Sequence, residues 1–137
     1  MILVDSSVWI DFLHKRETPQ TDFLKSNLRR RRFATADLVL AEVLQGMRDE
    51  RAAVRAEQLL TALPPVVVSD HATAIAAAGY FRLLRAKGIT IRKTIDTLIA
   101  TRCIMDLRYL LFSDRDFEPF VQHLGLRSAM AYPYGTN

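Results

Sequence analysis

The chain alternates two kinds of apolar pattern. Short unbroken runs stop abruptly at polar residues: ILV within MILVD, VVV within VVVS, and YLLF at 109–112. Runs of this length without a polar face fit strands buried on both sides. RFATA, at 32–36, reads as a further short strand. Between these runs, apolar residues recur at helical spacing. In SSVWIDFLHK they are Val8, Trp9, Phe12 and Leu13, and in DLVLAEVLQGM they are Val39, Leu40, Val43, Leu44 and Met47. Further helices are predicted over Thr18 to Leu28, over RAAVRAEQLLTAL (closed by Pro64 and Pro65), and over HATAIAAAGYFRLLRAK, with Gly88 at its C-terminal cap. Thr94 is the predicted cap of IDTLIATRCIMDL, and FEPFVQHLG forms a last helix ending at Gly125.

Strands alternating with helices predict an α/β sandwich: a central parallel sheet of four to five strands with helices on both faces. Nothing in residues 1–137 resembles a linker, a repeat or a low-complexity segment, so a single domain is expected. In such sheets ligands bind beyond the carboxyl ends of the strands. The acids that follow strands therefore come first in any search for chemistry.

Composition narrows the classes. Half of the residues are hydrophobic and a quarter charged, enough for one good core without membrane character. No apolar run approaches the roughly 20 residues that span a bilayer. MILVDSSVWIDFL lacks the basic start of a signal peptide and carries Asp5 and Asp11, so a cytoplasmic protein is expected. One cysteine, Cys103, offers neither a disulfide framework nor a thiolate metal cage. The net charge of +4 hints at a polyanionic partner. Its cations concentrate in KSNLRRRRF, where Lys25 and Arg29 to Arg32 crowd together, although a solvated helix end would carry cations too.

Four acids stand where the topology puts ligands. Asp5 follows the first strand and Asp114 the YLLF strand, in LLFSDRDF. Asp96 lies in the first turn of a helix that enters from the same edge, and Glu42 about one turn into another. Each has an ordinary alternative: Asp5 as a helix cap, Glu42 as a surface residue on the flank beside Leu38 and Gln45, Asp96 as a dipole partner, Asp114 as part of a polar turn. Together they form a pattern. At about 5 Å and an effective dielectric near 20, each carboxylate pair repels by roughly 3 kcal/mol. Six such pairs would exceed the roughly 5–15 kcal/mol that holds a domain together. Such a cluster needs protons or a cation, and all-oxygen donors suit Mg²⁺ or Mn²⁺.

Other chemistries lack their residues. His14, His71 and His123 show no zinc spacing, and no phosphate-binding glycine loop or GxSxG elbow occurs. A phospho-receiver domain would need paired acids at the first strand and a late strand-end lysine. Here Ser6 follows Asp5, and residues 102–137 contain no lysine.

ILVDSSVWID, DLVLAEVLQG, TIDTLIA and LLFSDRDF, in that order, resemble the motifs of the PIN domain, and more narrowly those of VapC-type toxins. The resemblance runs from Met1 to about Leu126. It implies a divalent-metal endoribonuclease with Asp5, Glu42, Asp96 and Asp114 as catalytic acids. Asp5, Asp96 and Asp114 would be metal ligands for Mg²⁺, with Mn²⁺ as substitute, and Asp116 a fifth acid. It further implies homodimerisation, inhibition by a VapB-like antitoxin, and an RNA substrate such as transfer RNA. Arg92 and Lys93, just before Asp96, are expected to hold flanking phosphates. Relatives often carry threonine where this chain has Phe112, so a supporting hydroxyl is expected from Ser113, Ser7 or Thr94. A PIN fold that only grips RNA or an antitoxin is the alternative; its signature would be a missing acid, and all four are present.

Overall fold

The computed structural model describes residues 1–131. The chain alternates strands and helices in the order β1 (Ile2–Val4), α1 (Ser6–Leu13), α2 (Pro19–Asn27), β2 (Phe33–Ala36), α3 (Asp37–Gln45), α4 (Glu50–Thr61), β3 (Pro65–Val66), α5 (His71–Ala86), α6 (Thr94–Asp106), β4 (Tyr109–Leu111), α7 (Glu118–Leu124) and β5 (Arg127–Ser128). Two short 3₁₀ turns, Arg115–Phe117 and Ala129–Ala131, complete it. No helix among the described residues is long and apolar enough to cross a membrane.

The sheet is fully parallel, with strand order β3-β2-β1-β4-β5. Successive side chains in a strand point to opposite faces. Ile2, Leu3 and Val4 are nevertheless all buried, so the centre of the sheet is covered on both sides. That explains the unbroken apolar runs. Helices α1, α3 and α4 pack into one group, and α5, α6 and α7 into another. Trp9, Phe117, Phe120, Leu84 and Ile99 fill the core between helices and sheet.

The chain moves outward from β1 to β2 and β3, then returns to place β4 on the other side of β1. The order of strands therefore reverses between β1 and β4, where open α/β sheets have a crevice at their carboxyl ends. The two strands are in register, Val4 opposite Leu111, and the Asp5 amide donates to the Leu111 carbonyl at 2.9 Å. Asp5 and the residues after Leu111 thus leave the sheet side by side.

Several local expectations need correction. The strand predicted over VVVS is instead Pro65–Val66, paired to β2 through Thr35 and Ala36. Proline fits there because β3 is an edge strand, where a missing N–H faces away from the ladder. Thr94 does not cap α6; it is the first helical residue, and Lys93 holds the cap position without a side-chain bond. Gly88 and Gly125 do lie just beyond α5 and α7 with φ of +83° and +79°, conformations that favour glycine. The tail AYPYGTN lies, beyond Ala131, outside the described residues.

Candidate metal centre

The reversal between β1 and β4 brings the predicted acids to one edge. Asp5 occupies the N-cap position of α1, yet its side chain makes no capping bond. Oδ2 instead accepts a hydrogen bond from the Ser7 hydroxyl at 2.7 Å, and Oδ1 is buried without a partner. Burial raises the Asp5 pKa. The Ser7 hydroxyl and the backbone N–H groups of Ser6 and Ser7 oppose that rise, and the Glu42 charge adds to it.

Glu42 reaches the edge from α3. Its Oε1 accepts from the Ser6 hydroxyl at 3.0 Å, which fixes a side chain that would otherwise swing in solvent. Consecutive serines after β1 thus hold different acids, Ser6 holding Glu42 and Ser7 holding Asp5. Ser6 was not among the residues singled out from the sequence. The contact closes over 36 positions, and no local pattern announces it.

Asp96 sits in the first turn of α6 and is only 5% exposed, with Oδ2 lacking any partner. Its pKa is pushed up to about 7. Burial is the largest cause and the Asp5 charge the next; Lys93 opposes them, and Asp114 and Glu42 raise it further. Asp5, Glu42 and Asp114 therefore all act on the Asp96 charge.

Asp114 and Asp116, expected as a catalytic acid and an auxiliary, lie together at this edge. Asp114 is the N-cap of the 3₁₀ turn that precedes α7, its Oδ1 accepting the Asp116 amide at 2.9 Å. Its Oδ2 lies 3.9 Å from the Lys93 ammonium. One carboxylate oxygen from each of Asp96, Asp114 and Asp116 lies within 4.8 Å of the others. Asp116 thus joins the compact group of three. Asp5, a ligand in the sequence expectation, stands outside that trio and is coupled to it through Asp96.

The flanking residues fall into place around these acids. Ser113 takes the position next to Phe112 that a supporting hydroxyl needed: its Oγ is 3.3 Å from Ser7 Oγ. Phe112 itself turns inward and packs against Phe117, centroids 5.2 Å apart. Arg92, Lys93 and Thr94 are exposed, Lys93 facing Asp114. Asp37, the acid that follows β2 as Asp5 follows β1, is a staple: its oxygens accept from the Val68 amide at 2.8 Å and the Ser69 hydroxyl at 2.6 Å.

An edge of this chemistry fits a hard divalent cation. The donors are all carboxylate oxygens, and two buried oxygens, on Asp5 and Asp96, lack partners. The PIN domain family model matches residues 2–119 of the chain. The chain belongs to the PIN domain family. Among relatives of this PIN domain, VapC ribonuclease Mb1587 of Mycobacterium bovis is 29% identical over 131 residues, 94% of this chain and 98% of the relative. Ribonuclease VapC11 of Mycobacterium tuberculosis matches to the same extent, 29% over 131 residues with 94% and 98% covered. Among solved structures, VapBC2 from Rickettsia felis, bound to a DNA fragment from its promoter, superposes with a TM-score of 0.71 at 21% identity. It covers 93% of this PIN domain and 97% of the matched chain, which establishes the shared fold.

Proposed function

We propose that this PIN domain is a metal-dependent endoribonuclease and the toxin of a toxin–antitoxin pair, hydrolysing RNA phosphodiester bonds at its acid edge. The observation that carries the chemistry is Asp96, a buried carboxylate with an unpartnered oxygen, pushed up to about 7 by burial and by three neighbouring acids. A folded chain keeps such a residue at a cost, and a divalent cation removes the cost. The RNA preference and the toxin role are supported by the ribonuclease names of the relatives, which match nearly the whole chain.

In this reading Asp96, Asp114 and Asp116 hold Mg²⁺, or Mn²⁺ in its place, with Asp5 completing the set. When bound, the cation acidifies a water and offsets negative charge on the reacting phosphoryl group. Glu42, held by Ser6, would act as general base toward the attacking water. Ser7 holds Asp5, and Ser113 lies against the Ser7 hydroxyl. Arg92 and Lys93 contact the phosphates that flank the cut, Lys93 also tempering the charge of Asp114. A VapB-like antitoxin, a homodimer, a transfer RNA substrate and a cytoplasmic location complete the proposal.

Asp5→Asn tests it. The variant keeps the shape of Asp5 and removes its charge, so it should fold normally and lose RNA cleavage in Mg²⁺. Expressed without an antitoxin, the parent chain should arrest growth and the variant should not. An Asp5→Asn protein that cleaves RNA as fast as the parent would place the chemistry elsewhere. A parent that binds RNA and leaves it intact in every divalent metal would make this a non-catalytic binding module.

A further inference from the structure

The arginine run at 29–32 has no part in the acid site, and the fold carries it to the opposite edge of the sheet. The Ile2 amide donates to the Arg32 carbonyl at 2.8 Å. Register then aligns Phe33, Ile2, Tyr109 and Arg127 in one row across β2, β1, β4 and β5. Arg32 and Arg108 precede that row and Arg127 stands in it. Strands lie about 4.8 Å apart, so this line of cations runs for about 14 Å. Arg29 and Arg30 extend it in the turn after α2. A cleft of about 500 Å³ opens beneath, lined by Arg30, Arg31, Arg32, Met1, Leu107 and Tyr109 among others.

One neighbouring acid balances part of this edge: Asp106 pairs with Arg108 at 3.1 Å as well as with Arg102 at 2.7 Å. Asp22 shares an adjoining cleft with Arg30 and Arg31 without forming an ion pair. Among the described residues no ion pair reaches Arg29, Arg30, Arg32 or Arg127; the last lies over the Tyr109 ring at 5.7 Å. The dipole of α2 does not account for the cluster either. Its influence fades within the last turn, where Lys25 already sits.

We propose that this edge is a second, non-catalytic contact surface for RNA phosphates, engaged by parts of the substrate remote from the acid site. The inference rests on the ribonuclease reading and extends it. Carboxylates dominate the catalytic edge and repel a polyanion, and of the cations beside them in sequence, Arg92, Lys93 and Arg115, Lys93 is drawn to Asp114. Attraction for the rest of the RNA has to come from another face, and the chain concentrates its arginines on this one. Guanidinium forks engage phosphate oxygens two at a time. A flat row of them suits successive phosphates of a backbone better than a single acidic peptide side chain. Leu107, 68% exposed, and Met1, 48% exposed, add apolar surface beside the row for bases or sugars.

The test uses the full chain carrying Arg29→Gln, Arg30→Gln and Arg32→Gln together. Arg31 is left alone because its Nε donates to Asn27 Oδ1. Binding of bulk transfer RNA is followed by fluorescence anisotropy in EDTA, across a series of salt concentrations. Each lost phosphate contact should lower the salt slope of log K by about 0.7–0.9, and affinity should fall about tenfold or more near 100 mM salt. Cleavage of a short single-stranded RNA in Mg²⁺ should be unchanged, as should the melting temperature. Parental affinity and slope in the triple variant overturn the proposal, as does a parent that binds no transfer RNA. Displacement of transfer RNA by polyglutamate of equal charge, at equal concentration, makes the edge an acidic-peptide site and overturns it too. If the triple variant unfolds, Arg29→Gln and Arg30→Gln singly decide by the same slopes. Failure of the parent to cleave the short RNA counts against the ribonuclease reading, separately from any binding result.

Discussion

Asp96→Asn should make the metal-free protein more stable, and the gain should depend on pH. Folding lifts the Asp96 pKa from 3.8 to about 7, so between those values the native chain holds a proton that the unfolded chain has released. Stability then falls as pH rises through the window from about 4 to about 7, and stays low above it. At about 1.36 kcal/mol per unit, the penalty at pH 8 has a ceiling of about 4 kcal/mol. Asparagine keeps the shape and carries no charge, so the variant escapes the penalty. Its urea midpoint at pH 8 in EDTA should exceed the parent's by about 1–2 M, and at pH 4 the two should nearly coincide. A shallower fall with pH should persist in the variant, because burial also raises Asp5. With Mg²⁺ at pH 8 the advantage should vanish or reverse, because the cation then stabilises only the charged site. Equal midpoints at pH 8 without metal, or a parent whose stability is flat from pH 4 to 8, would refute the crowded-carboxylate argument.

The two acids of LLFSDRDF should separate by stability. Asp114 makes the capping bond to the Asp116 amide, so Asp114→Ala should be less stable than Asp114→Asn by about 1 kcal/mol in metal-free chemical denaturation, whereas Asp116→Ala and Asp116→Asn should match each other. Both asparagine variants should lose most cleavage; full activity in Asp116→Asn would remove that residue from the metal group. Titrating the parent with Mg²⁺ or Mn²⁺ should raise its melting temperature by mass action, by about 2.7 kcal/mol of stability at a hundredfold excess over Kd. No shift at millimolar metal, with no calorimetric heat, would count against the centre.

Which features a sequence discloses follows from their range. Asp5, Glu42, Asp96 and Asp114 could be found because the parallel topology itself says where acids matter, and alternating apolar runs disclose that topology. The Ser6 to Glu42 bond could not, because it depends on how α1 packs against α3. The start of α7 is hidden for a local reason. FEPFVQHLG reads as one continuous helix, with Pro119 allowed in its first turn. The chain instead inserts a 3₁₀ turn ahead of α7, capped by Asp114. β5, at Arg127 and Ser128, is too short to show any alternation. Asp37 resembles Asp5 in sequence position, and only the amide and hydroxyl it accepts reveal it as a staple.

The pairing of β1 with β4 has a consequence for synthesis. Asp5 and Asp114 are separated by 109 positions, yet they leave adjacent strands joined residue by residue. Translation proceeds at about 5–20 residues per second, so Asp5 waits roughly 5–20 seconds before Asp114 is even made. Throughout that interval β1 lacks a neighbour on one side, and the carboxylate group of Asp96, Asp114 and Asp116 does not exist. If the proposed site does the cutting, a nascent chain on the ribosome, surrounded by RNA, would be inert until the segment from Asp96 to Asp116 had emerged and docked. The crossing that builds the crevice would then also time its first cut.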